Sequence, residues 1–174
     1  MKFVEKIRGQ WITRVLLLAA CGALLSGCAT SSITGMGHQL QPASQVPIVS
    51  GGQQSGVFNS DNLTMRYSYL RSSATQLQIS GTVTFADSLR MNFSGLDYFD
   101  LGVIFADSTG KVIAQHDLST GGSINFTEVG SSGTTFKNTL QIPARTAMMA
   151  FRYNGQAAGD RGDPTDFFSD PIER

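Results

Sequence analysis

A two-residue rhythm between Leu77 and Phe85 constrains this chain more than any other feature. Leu77, Ile79, Val83 and Phe85 alternate with Gln78, Ser80, Thr82 and Thr84, a period that buries one face of a strand and wets the other. Gly81 interrupts the apolar row and predicts a bulge or a close crossing. The alternation resumes with Leu89, Met91 and Phe93. In Tyr98 to Phe105, Phe99, Leu101, Val103 and Phe105 share one side while Tyr98 and Ile104 take the other, which predicts a central, largely covered strand. Asp107-Ser108-Thr109-Gly110 then precedes an apolar run from Lys111 to Ala114, the signature of a tight hairpin with glycine at positive φ. Further strands are expected at Thr64 to Leu70, Ser123 to Val129, Thr134 to Ile142 and Ala147 to Tyr153, with Gly121-Gly122 and Gly130-Ser131-Ser132-Gly133 as turns. No long segment carries a helical stripe. The pattern predicts an all-β domain over residues 57–174, a two-sheet antiparallel sandwich of seven to eight strands with immunoglobulin-like or jelly-roll-like order.

The N-terminus follows other rules. Lys2, Lys6, Arg8 and Arg14 against Glu5 form a basic start, and Val15 to Leu25 is an apolar run, far short of the about 20 residues a membrane-spanning helix needs. Leu25-Ser26-Gly27-Cys28 closes that run and resembles the lipobox of bacterial lipoprotein precursors. A second box, Leu18-Ala19-Ala20-Cys21, would leave only a stub of apolar segment after Arg14. The resemblance implies a signal peptide over 1–27, acylation of Cys28, and attachment to a membrane by firmly anchoring acyl chains such as palmitate. With Ala29 rather than Asp after the cysteine, it implies the outer membrane of a diderm cell, on its periplasmic or its surface face.

Removing the leader takes four of the 13 Lys+Arg and one of the 13 Asp+Glu, so 9 basic residues face 12 acidic ones, a net charge of −3. Such a domain lacks the basic footprint of nucleic-acid binding. It also keeps no thiol beyond the acylated one and no tryptophan, since Trp11 lies in the leader. Residues 28–56 are rich in Ser, Gly, Gln, Thr and Pro and read as a flexible tether, with a reach of roughly 30 Å by coil scaling. Val46-Pro47-Ile48-Val49 is the exception and can dock as an edge strand, provided Pro47 faces no ladder acceptor.

Candidate chemistry is sparse. The two histidines are His38, in the tether, and His116, expected at a strand end or edge; neither has partners that suggest a catalytic triad or a zinc site. No cofactor is expected. Asp97 and Asp100 are expected on opposite faces of one strand. Asp160, Asp163, Asp166 and Asp170 lie in a Gly/Pro-containing stretch where carboxylates can gather on calcium, although nothing matches an EF-hand loop and solvated loop acids are the simpler reading. Arg161-Gly162-Asp163 repeats the integrin-ligand tripeptide, a match too short to carry weight. Tyr67 and Tyr69 share a strand face with Met65, and such a row either stacks on a partner or packs in the core. Phe167 and Phe168 are adjacent, so at least one is expected to anchor the C-terminal tail and cover a sheet edge. These features predict a non-enzymatic envelope lipoprotein, a binding or structural accessory subunit with an envelope protein partner. A carbohydrate-binding module taking polysaccharide is second; a hydrolase with two carboxylates about 5 to 10 Å apart is third.

Overall fold

The computed structural model describes residues 35–119, 122–130, 132–158 and 163–173. Among them the expected antiparallel sandwich is present. One sheet has four strands: β2 (Gln54–Asn59), β3 (Leu63–Ser73), β4 (Gln76–Phe85) and β8 (Thr134–Gln141), in the order β2-β3-β4-β8. The other has six: β1 (Val46–Pro47), β9 (Met148–Ala158), β5 (Gly95–Ala106) and β6 (Val112–Ser119) run side by side, with β7 (Ile124–Asn125) on β5 and β10 (Thr165–Ser169) on β9. The strands number ten rather than seven to eight because β1 and the start of β2 lie in the expected tether and β10 lies in the tail.

The alternation of β4 survives intact, and Leu77, Ile79, Val83 and Phe85 all point into the core. Gly81 sits at a close approach and not at a bulge, since its register to Tyr67 and Phe136 is regular. A Cβ there would come within 2.6 Å of the Arg66 carbonyl oxygen and 2.8 Å of the Phe136 ring. Facing this layer, Phe99, Leu101, Val103 and Phe105 of β5 fill the core from the other sheet. Phe85 and Phe99 meet edge to face across the layers at 5.0 Å, a favourable aromatic geometry. From Leu101 to Ala106, β5 is buried on both sides, as expected for its central place between β9 and β6.

Two segments depart from the β reading. Leu89, Met91 and Phe93 do not form a strand: Asp87–Asn92 is a helix, α1, in which Leu89 is buried while Met91 is fully in solvent. Half-buried Phe93 follows as the extended C-cap, its amide donating to the Leu89 carbonyl at 3.0 Å. Ser123 to Val129 is strand only at β7, because the Asn125 side chain accepts from the Thr127 amide at 2.8 Å and starts a short helix, α2 (Phe126–Val129).

The flexible-tether expectation does not hold from Gly35 onward. Val46–Pro47 pairs with Met148–Met149 of β9 as an edge strand, and the Tyr69 hydroxyl donates to the Pro47 carbonyl at 3.0 Å while accepting from the Val49 amide at 3.1 Å. Before it, residues 37–41 run as an arm between the β5–β6 turn and the C-terminal tail. The Leu40 amide donates to Gly110 O at 2.9 Å, Gln41 N to Pro171 O at 2.8 Å and Glu173 N to Gln39 O at 2.9 Å. Leu40 thereby closes a second apolar cluster with Ile104, Ala106, Val112 and Ala150, on the outer side of the six-stranded sheet, with Ile172 packed against it.

Candidate functional site

The arm and tail cover only one end of that outer face. What remains is a groove of about 520 Å³. Its floor is β5, where Gly102 and Ile104 point outward between the core positions. The pairing register sets Gly102 between Arg152 of β9 and Asp117 of β6. With no side chain at 102, the Arg152 stem lies across the floor, and its Nη2 donates to Asp117 Oδ1 at 3.0 Å. A Cβ on Gly102 would come 2.7 Å from Arg152 Nε. That Nε is itself shut from solvent and has no acceptor. Asn154 of β9 stands opposite both Asp100 of β5 and Phe168 of β10, which places an amide between a carboxylate and an aromatic ring. Asp170 and Ile172 close the tail side.

Phe167 and Phe168 divide as adjacent strand residues must. Phe167 is 5% exposed, stacks on Phe99 at 6.4 Å and lies over Gly155, where a Cβ would come within 2.5 Å of its ring. Phe168 is 64% exposed at the groove. β10 covers the β9 edge from Tyr153 to Ala157.

The expectation that Tyr67 and Tyr69 form a partner surface is overturned. They are 8% and 4% exposed, on the inner face of β3 with Met65. Tyr67 packs on Phe151 with ring centroids 4.7 Å apart, and burial, with Tyr69 beside it, holds its hydroxyl above the ordinary phenol range. Tyr69 is the staple on β1 already described. Neither residue approaches the Phe168 groove, which is on the outside of the opposite sheet.

The C-terminal acids are not gathered. Asp166 accepts from Gln156 Nε2 at 2.8 Å, Asp170 accepts from the Ile172 amide at 3.3 Å, and Asp163 is exposed; Asp160 lies outside the described residues, as do Arg161, Gly162 and Cys28. Among the described residues no three His, Cys, Asp or Glu side chains are placed to share a metal ion. Asp97 falls at an irregularity in the β5–β9 register between Leu96 and Tyr98, so the strict alternation expected between it and Asp100 is broken there. His116 is on edge strand β6, half-buried with its ring edge-on to Phe105 at 5.8 Å.

Arg152, Gly102, Asp117 and Asn154 escaped sequence reasoning, because only the register of β6, β5 and β9 brings them together. Among the described residues no helix is long and apolar enough to cross a membrane. No family model matches the chain, and no curated protein matches it in sequence.

Proposed function

We propose that the chain is a lipid-anchored, non-enzymatic component of the cell envelope whose sandwich serves as a binding or accessory subunit, with the outer groove of the six-stranded sheet as its partner site. The reading rests above all on Phe168. A phenylalanine held in solvent on a paired strand, beside a preformed groove that mixes apolar floor with Arg152, Asp117 and Asn154, has the make-up of an interface anchor. The Leu25-Ser26-Gly27-Cys28 box supports attachment to the outer membrane, where tethering raises the effective concentration for neighbours. Asp117 and Asp170 are already engaged, by Arg152 and by the Ile172 amide, which favours recognition over carboxylate-based hydrolysis.

A crosslinking pull-down of the acylated protein from its own envelope tests this. A discrete stoichiometric partner is expected, lost with Cys28→Ala and weakened about tenfold or more with Phe168→Ala, the scale of an interface hot spot. A partner retained undiminished by Phe168→Ala would remove the groove from the proposal. The second reading, a carbohydrate-binding module, is favoured by the Phe168-Asn154 pair, which offers a ring to stack on and an exposed amide to bond hydroxyls. Retention of polysaccharide without a protein partner, lost with Phe168→Ala, would put it first.

A further inference from the structure

Acidic charge is confined to one of the two sheets, where Arg152 is its cationic partner. Asp97, Asp100, Asp117 and Asp166 all belong to strands of the six-stranded sheet, whereas β2, β3, β4 and β8 contain no Asp or Glu. The four-stranded sheet carries Arg66, Arg71 and Lys137. Arg71 is occupied: its guanidinium donates to the carbonyls of Ala74 and Thr146 at 2.9 Å and of Ala144 at 3.1 Å, tying the ends of both sheets together. The side chains of Arg66 and Lys137 are exposed and make no hydrogen bond or ion pair with the described residues.

The register places these two cations on either side of a hydroxyl-lined floor. Val57, Arg66, Thr82 and Thr135 form one outward row across the sheet, and Ser55, Ser68, Ser80 and Lys137 form the next. Arg66 on β3 and Lys137 on β8 are two strands apart, roughly 10 Å at the usual strand spacing. Between them lie Ser68, Ser80 and Thr82, short enough to leave a shallow trough of about 780 Å³. Ser68 and Ser80 Oγ are 3.3 Å apart, so a single proton serves that contact and the second hydroxyl proton is left for another acceptor.

We propose that this trough binds an anionic glycan, with Arg66 and Lys137 taking acidic groups and the Ser68, Ser80 and Thr82 hydroxyls taking sugar hydroxyls. Charge complementarity selects the occupant. A membrane-docking surface of this kind draws about 1 kcal/mol per basic residue and uses clusters of 4 to 8 of them; here there are two. Protein hot spots are built on buried aromatics and arginines, and among the outward residues of the trough only Val57 is apolar. A hydroxyl-rich ligand with acidic groups along its chain fits both the floor and the banks. The site stands apart from the groove and does not depend on its partner.

The test uses the full chain in a non-ionic detergent, with polygalacturonate as anionic probe, dextran as neutral probe, and glycerol phosphate, the soluble headgroup of an anionic lipid, as the competing anion. Polygalacturonate binding is expected at low salt, with dextran and glycerol phosphate left unbound. Arg66→Ala and Lys137→Ala should each weaken it about 3-fold, the scale of one exposed charge contact, and the double variant about 10-fold, with an unchanged urea midpoint. Lys111→Ala, which removes a positive charge beside the other sheet, should leave binding as it was. Equal binding to dextran, an equal loss with Lys111→Ala, binding to glycerol phosphate alone, or no binding to polygalacturonate would each overturn the proposal.

Discussion

The two outer faces of the sandwich are built from strands of the same alternating kind and end in opposite conditions. On the six-stranded sheet the outward row of β5 includes Ile104, and it becomes interior because the arm at Leu40 and the tail at Ile172 close over it. On the four-stranded sheet the outward rows are chiefly hydroxyls and amides with Arg66 and Lys137, Val57 and Leu70 being apolar members, and neither the arm nor the tail closes over them. Whether a strand has one buried face or two is therefore decided by segments outside the sheet. The covered face gains a walled groove with an aromatic at its side, and the uncovered one keeps only a shallow trough.

The largest break in this contrast is expected from Leu40→Ala. Truncating a fully buried leucine costs about 2–5 kcal/mol, and the loss should appear in hydrogen exchange as faster opening of the amides that hold the arm, Leu40, Gln41 and Glu173, while those of β3 and β4 keep their protection. Equal loosening of the four-stranded sheet would mean that the arm is part of the main core and not a cover on it. Next is Gly81→Ala on the open sheet. The added methyl meets a backbone carbonyl and a buried ring, so overpacking should cost about 1–3 kcal/mol in urea unfolding, without altering the groove around Gly102. A neutral outcome would mean that β3, β4 and β8 can separate there freely.

The smallest effect sharpens how the arm is held. Asp107 Oδ1 accepts from Thr109 Oγ1 at 2.6 Å, Thr109 N at 2.9 Å and Lys111 N at 3.2 Å. Chiefly the Thr109 hydroxyl, then the backbone amides, hold its carboxyl below the ordinary range. The folded-state pKa is depressed, so the stabilisation is present above the ordinary carboxylate pKa and is lost as pH falls through the folded value. Asp107→Asn should then be slightly less stable than the parent at pH 7 and indistinguishable from it in strong acid. A gap that persists in acid would mean that the turn does not depend on the charge.

Much of the sandwich could be read from the residues, because β4 and β5 show the alternation that a half-buried and a central strand require, and Gly110, at φ +84°, closes the hairpin where expected. The segment at Leu89 could not, since Leu89, Met91 and Phe93 satisfy a two-residue period while Leu89 and Phe93 alone satisfy a helical one. The arm was hidden by its composition: among polar residues a single leucine carries the seal, and its partner Ile172 lies at the far end of the chain. Phe168 was singled out as one of a pair, but its side of the strand followed only once Phe167 was seen to fill the space above Gly155. The rest of the groove is a product of register, which the sequence of any one strand does not contain.

The contact between the arm and the tail also sets an order of assembly. Gln41 reaches carbonyls 129 and 131 residues further along the chain. Contacts so distant in sequence form late, because the loop they close must first be ordered. In a chain that emerges N-terminus first, Leu40 appears early and waits, its own cover incomplete until Ile172 arrives. The hairpins β3–β4 and β5–β6 can pair while synthesis continues, but the walls of the groove are finished only by residues 168–172. The groove beside Phe168 thus takes shape only after the tail has joined the arm.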